Sequence, residues 1–226
     1  MPLDVSVPEG DRWVTLDEND PPFLDTIDMV LYINLSHRVD RKEHIHKELQ
    51  GAGVPERKIT RIEAILQPCG AMGCTMSHIK ALRHALQHPE WHRVLVLEDD
   101  FTFRVDGPAA LCTLIETDPT MDVCLLSYEP SVLQHKPTNQ PNVQQVVAAQ
   151  TSAGYIVSRA YIPSLLQNFE DGLHDMKMRG KEHSNCMDIY WQRLQSRDRW
   201  YTHVPSIGYQ MDGYSDIMKT DVVHQY

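Results

Sequence analysis

Short apolar runs separated by amphipathic stretches set the pattern of this 226-residue chain. Residues 30–35, Val-Leu-Tyr-Ile-Asn-Leu, are apolar at nearly every position, which fits a strand buried on both faces of a parallel sheet. Residues 93–97 repeat that pattern, and β-rich runs at 60–65, 121–127 and 200–204 predict three further strands. Helical spacing lies between them. Ile79, Leu82 and Leu86 fall on one face of a helix over 77–86, which ends before Pro89 and has Ser77 placed as its cap. Asp40 with Glu43 three residues on reads as a capping box, for a helix that stops at Gly51. Further helices are predicted at 108–115, 160–169 and 187–194. Residues 143–149 and 153–158 read as a hairpin or two neighbouring strands, and 128–142, with Pro130, Pro137 and Pro141, as a surface loop. Residues 1–27 lack periodicity and read as an extension or lead-in, so 28–226 is expected to form one domain. Strands alternating with helices, then a mixed second half, predict an α/β fold of three layers around a mixed central sheet.

Composition narrows the partners. Lys plus Arg number 21 against 31 Asp plus Glu, a net charge of -10 that disfavours nucleic acid and anionic membranes. No apolar run approaches the roughly 18 residues of a membrane span, and the first 20 residues lack the pattern of a secretory leader. A cytoplasmic protein without an integral membrane segment is the expectation. Five scattered cysteines suit a reducing compartment, with Cys69–Cys74 the one bridge to weigh. No CxxC or CxxH pair is present to seed a zinc site.

The chemistry-bearing residues cluster at strand ends. The apolar strand at 93–97 runs into Glu98, Asp99 and Asp100, three like charges that call for solvent or a cation. In an extended segment Glu98 and Asp100 project to one side, so they form the natural pair for magnesium or manganese bound with a diphosphate. The first strand delivers Arg38 and Arg41 into the following loop, where guanidinium groups pair with phosphate or with nearby acids. Gly70, Ala71 and Gly73 permit close backbone approach ahead of Ser77 and His78. A solvated acidic loop and surface ion pairs are the bland readings of the same residues.

Four motifs in order, I-N-L-x-x-R-x-D-R (Ile33 to Arg41), G-C-x-x-S-H (Gly73 to His78), L-E-D-D (Leu97 to Asp100) and A-G-Y-I-V-S (Ala153 to Ser158), resemble glycosyltransferase family 25. That family includes bacterial lipooligosaccharide galactosyltransferases and collagen hydroxylysine galactosyltransferases, and the resemblance spans about 29–217. It implies a GT-A type, Rossmann-like fold, a UDP-sugar donor, manganese or magnesium, and inverting transfer of a hexose, galactose or glucose, to a hydroxyl of a glycan or of a glycosylated or hydroxylated protein. Carried over, Asp100 is the metal ligand with Glu98 serving the metal or the ribose; Asn34, Arg38, Arg41, Ser77 and His78 face the nucleotide; Asp188 is the general base, with Asp216 as runner-up. Leu82-Arg83 stands where many relatives carry a bulky aromatic. The rival readings are a catalytically silent nucleotide-sugar or glycan-binding module of the same fold, and a magnesium-dependent phosphotransferase or hydrolase. His183, His203 and His224 are candidates to complete a metal shell, and Lys177, Arg179 and Lys181 for a basic segment over the diphosphate.

Overall fold

The computed structural model describes residues 21–223. The first half is a series of strand–helix units: β1 (Met29–Asn34), α1 (Val39–Gly51), β2 (Ile59–Glu63), α2 (Gly70–Leu86), β3 (Arg93–Glu98), β4 (Phe101–Phe103), α3 (Gly107–Thr117) and β5 (Val123–Leu125). A more irregular half follows: β6 (Gln134–Pro137), β7 (Val143–Ala148), β8 (Gly154–Ser158), α4 (Ile162–Arg179), α5 (Met187–Tyr190), α6 (Gln192–Gln195), β9 (Trp200–His203), β10 (Gly208–Gln210), β11 (Gly213–Ser215) and β12 (Thr220–Val222).

Eight strands make the central sheet in the order β2-β1-β3-β8-β5-β9-β7-β6. β1 lies parallel to β2 and β3, whereas β8 runs antiparallel to both of its neighbours, β3 and β5. The sheet is mixed, as expected. Alternation within each strand feeds two cores. Leu31, Ile33, Val94, Val96, Tyr155 and Val157 face the layer built by α2, α4 and α5, while Val30, Tyr32, Leu95, Leu97 and Ile156 face α1 and α3. Burial on both faces is why these strands carry almost no polar residues.

Several expectations change. Residues 143–148 and 154–158 are not neighbours, because β5 and β9 lie between them in the sheet. The expected surface loop at 128–142 contains β6, an exposed edge strand paired antiparallel with β7. No capping box forms at α1: Asp40 sits in the first turn and its carboxylate is held by Arg38 Nε and Nη2 at 3.0 and 2.8 Å. Ser77 lies in the middle of α2, which begins seven residues earlier at Gly70. Within the lead-in, Phe23, Leu24 and Ile27 are buried in the second core, and the Lys58 ammonium ties the carbonyls of Leu24 and Ile27. Residues 1–20 of that segment lie outside the described residues. All five cysteines are free thiols. Among the described residues no helix is long and apolar enough to cross a membrane.

Candidate active site

The acids at the end of β3 line a cavity of about 360 Å³. It is lined by the carboxyl end of β3, by the start of α2 with the 64–67 loop, and by residues from 151–152, 186–188 and 210–222. Small residues make this enclosure possible. A Cβ on Gly73 would stand 2.5 Å from the Ile65 carbonyl oxygen, and one on Gly70 the same distance from the Ile217 Cα. Ser77 fixes the 65–67 loop from the helix side, accepting from the Ile65 amide at 2.8 Å and donating to the Gly73 carbonyl at 2.7 Å.

Glu98, Asp99 and Asp100 do not alternate, because the strand ends at Glu98 and the next two residues form a turn. Asp99 and Asp100 instead share one guanidinium: Arg41 Nη1 lies 3.2 Å from Asp99 Oδ1 and 2.9 Å from Asp100 Oδ2. Asn34 reaches Asp99 Oδ2 at 2.7 Å, and Arg41 Nη2 donates to the Tyr214 carbonyl at 2.8 Å. Glu98 turns the other way, accepting from the Ser152 hydroxyl at 2.6 Å, with His78 Nε2 at 3.4 Å.

Their electrostatics diverge accordingly. Burial would raise Glu98, but His78, Ser152 and Arg41 together hold it below its ordinary value. Desolvation, reinforced by Glu98, pushes Asp100 up to about 7 despite Arg41. Burial likewise raises Asp99 and, across the cavity, Asp188, whose Oδ2 accepts from the Thr151 amide at 3.2 Å. A raised carboxyl binds more protons folded than unfolded, so its contribution to stability falls as pH rises through the folded value. In EDTA, Asp100→Asn is therefore expected to melt higher than wild type at pH 8, and the difference should shrink by pH 5. Thermal melts with parallel pH slopes for the two proteins would contradict this.

Arg41, Ser77, His78, Glu98, Asp100 and Asp188 all line the cavity. Asn34 and Arg38 do not. Asn34 is a strut beneath it, bonded to Asp99, to the Arg38 carbonyl and to Arg61 Nε. Arg38 is committed to Asp40 and, at 2.6 Å, to Asp216, which lines the rim. Trp191 and Trp200 pack in the core, and Lys181 lines the cavity. His203 Nδ1 donates to the Pro205 carbonyl at 2.7 Å and does not line the cavity, and His224 lies outside the described residues. Sequence reasoning passed over Cys74, Ser152 and Gln210 as cavity residues, although Cys74 sits inside one quoted motif and Ser152 immediately before another.

Among the described residues, one set of three potential metal donors has its donor atoms within 4.8 Å of one another: Cys74, His78 and Glu98. Asp100 is outside that set. A hard divalent cation nevertheless fits Asp100, because the residue lines the cavity and its Oδ1 is buried without a hydrogen-bond partner.

No protein-family model matches the chain, and no curated protein sequence matches it. Solved structures do. The structure resembles mannose-1-phosphate geranyltransferase from Thermus thermophilus, with a TM-score of 0.50 at 12% identity over 79% of this chain and 73% of that one. The chain has a GT-A type fold. A glycosyltransferase involved in glycosylation of the major capsid of PBCV-1 is similar at a TM-score of 0.48 and 10% identity, over 76% of this chain and 79% of that one. A197 from STIV is similar at 0.47 and 11%, over 88% and 95%. In open sheets of the kind seen in the GT-A fold, ligands bind outside the carboxyl ends of the strands, which is where Glu98 and its neighbours lie.

Proposed function

We propose that the chain is a metal-dependent glycosyltransferase of the family 25 type, moving a hexose from a UDP-sugar to a hydroxyl with inversion. The carrying observation is the pairing, across one cavity, of a buried acid cluster with an unsatisfied Asp100 oxygen and a desolvated carboxylate, Asp188. Asp100 would hold manganese or magnesium, with Glu98 in the same cavity but turned toward Ser152. When bound, such a cation offsets the charge developing on the departing diphosphate.

The chain's own residues do the rest. Arg41 keeps Asp99 and Asp100 in place from below, and its own position is fixed by the Tyr214 carbonyl. The Ser152 hydroxyl orients Glu98, with His78 Nε2 3.4 Å away. Asp188 accepts the proton of the acceptor hydroxyl while that oxygen bonds to the anomeric carbon and the bond from that carbon to the diphosphate oxygen breaks. Its raised pKa makes it a stronger base than an exposed aspartate, and the Thr151 amide fixes one of its oxygens. Asp216 suits the role less well, because Arg38 holds one carboxylate oxygen at 2.6 Å and His37 lies 3.7 Å from the other.

Calorimetry of UDP with and without manganese tests the reading. UDP affinity is expected to rise with manganese, and Asp100→Ala to remove that gain together with UDP release from UDP-galactose or UDP-glucose. UDP binding that is equally tight in EDTA would sink the metal assignment.

A further inference from the structure

The cavity contains a second kind of donor set. Cys74 and His78 are four residues apart on α2, so their side chains fall on the same face of the helix, and Glu98 comes to them from the end of β3. Their sulfur, nitrogen and oxygen donors lie within 4.8 Å of one another, and all three residues line the cavity. No run of sequence spells this group, because one ligand arrives from another element.

His78 provides an independent sign of a missing partner. Its side chain is 1% exposed, its Nδ1 is 3.0 Å from the Tyr155 hydroxyl, and its Nε2 has no hydrogen-bond partner. Glu98 Oε1, 3.4 Å from Nε2, is a loose ion-pair neighbour that leaves Nε2 without a well-formed hydrogen bond. Metal-binding histidines characteristically have one ring nitrogen tied by a neighbour, which fixes the ring and aims the other nitrogen at the ion. Tyr155 occupies that place here.

We propose that Cys74, His78 and Glu98 form a site for a zinc-class cation, with the fourth coordination position facing the cavity. Thiolate and imidazole donors select zinc or cobalt over magnesium and manganese, which prefer oxygen alone. Charge balances as well: a thiolate and a carboxylate neutralise a doubly charged ion, in a cavity where Arg41 already serves Asp99 and Asp100. Tetrahedral zinc places its ligand atoms about 3.5 Å apart; His78 Nε2 and Glu98 Oε1 already stand 3.4 Å apart, and no other pair exceeds 4.8 Å. Burial and the neighbouring acids raise the Cys74 thiol, so binding releases a proton and strengthens as pH rises. Glu98 lines the same cavity as Asp100, so a zinc ion here would repel a hard cation at Asp100.

The site stands apart from the UDP-sugar reading, and its test contains no nucleotide. Reduced, EDTA-stripped protein is titrated with cobalt(II), followed by optical absorbance. The expected result is one equivalent of cobalt giving tetrahedral d–d bands and a thiolate charge-transfer band, both discharged by zinc. Cys74→Ser is expected to abolish the charge-transfer band and His78→Gln to weaken cobalt binding at least about tenfold, whereas Cys186→Ser, at the cavity rim, keeps the wild-type spectrum. Circular dichroism confirms that each variant is folded, and the His78→Gln titration decides the matter if Cys74→Ser is not. Absence of the band in wild type, its survival in Cys74→Ser, or unchanged binding in His78→Gln overturns the proposal.

Discussion

Asp188→Asn is expected to lower kcat by roughly 10²–10⁴-fold while UDP affinity with manganese stays at the wild-type value. Asparagine preserves the side chain's shape and can still accept from the Thr151 amide, so the fold is kept and the base is lost. The pH profile separates this outcome from a structural effect. Burial raises the Asp188 carboxyl, so wild-type kcat should climb with pH through a value above that of an ordinary aspartate, and the variant's residual rate should lack that limb. Parallel losses in UDP affinity and in kcat, or an acid limb retained in the variant, would move the base elsewhere, with Asp216 the next to examine.

Arg41→Met is expected to be the most destabilising single change in the cavity. Arg41 is the guanidinium that faces both Asp99 and Asp100, and all three side chains are about 10% exposed. Removing one partner of a buried ion pair leaves an uncompensated charge, at a cost of about 3–5 kcal/mol. Methionine fills most of the volume, so the loss would reflect charge more than packing. Urea unfolding at pH 8 in EDTA measures it. Adding Asp100→Asn to Arg41→Met should recover part of the loss, and the double-mutant cycle gives the coupling directly. A midpoint for Arg41→Met within about 0.5 kcal/mol of wild type, the range of ordinary surface changes, would contradict the assignment.

The parts of the fold legible in the sequence are those where burial leaves a pattern. β1, β3 and β8 are buried on both faces, and such strands cannot hide among polar residues. The strands that escaped notice, β4, β6, β10, β11 and β12, are three or four residues long and mostly exposed or half-buried, so backbone pairing alone defines them. The start of α2 was obscured for a different reason. Gly70 and Gly73 have low helix propensity, yet they are required there by the close approach of Ile217 and Ile65, contacts that only the folded chain makes.

The candidate site divides the same way. Two motifs put residues at the carboxyl ends of β1 and β3, because loops after parallel strands gather at one edge of the sheet, whereas Gly73 to His78 lies inside α2 and Ala153 to Ser158 runs along the reversed strand β8. Which residues touch was not legible. The turn at Asp99–Asp100 breaks the alternation that would have paired Glu98 with Asp100, and Arg38, expected on the nucleotide side, is occupied by Asp40 and Asp216. The Cys74–His78–Glu98 cluster needed both the true start of α2 and the position of β3.

The reversed strand β8 has one more consequence. Because it runs against β3, the segment that precedes it arrives at the same edge that β3 leaves, and the Glu98 amide bonds the Ala153 carbonyl at 2.8 Å. The cavity is therefore a seam between two halves of the chain. Its lining residues come from two stretches, 33–100 and 151–222. Because Arg41 holds the Tyr214 carbonyl and Ser152 holds Glu98 across this seam, changing residues in either stretch is expected to alter the shape of both.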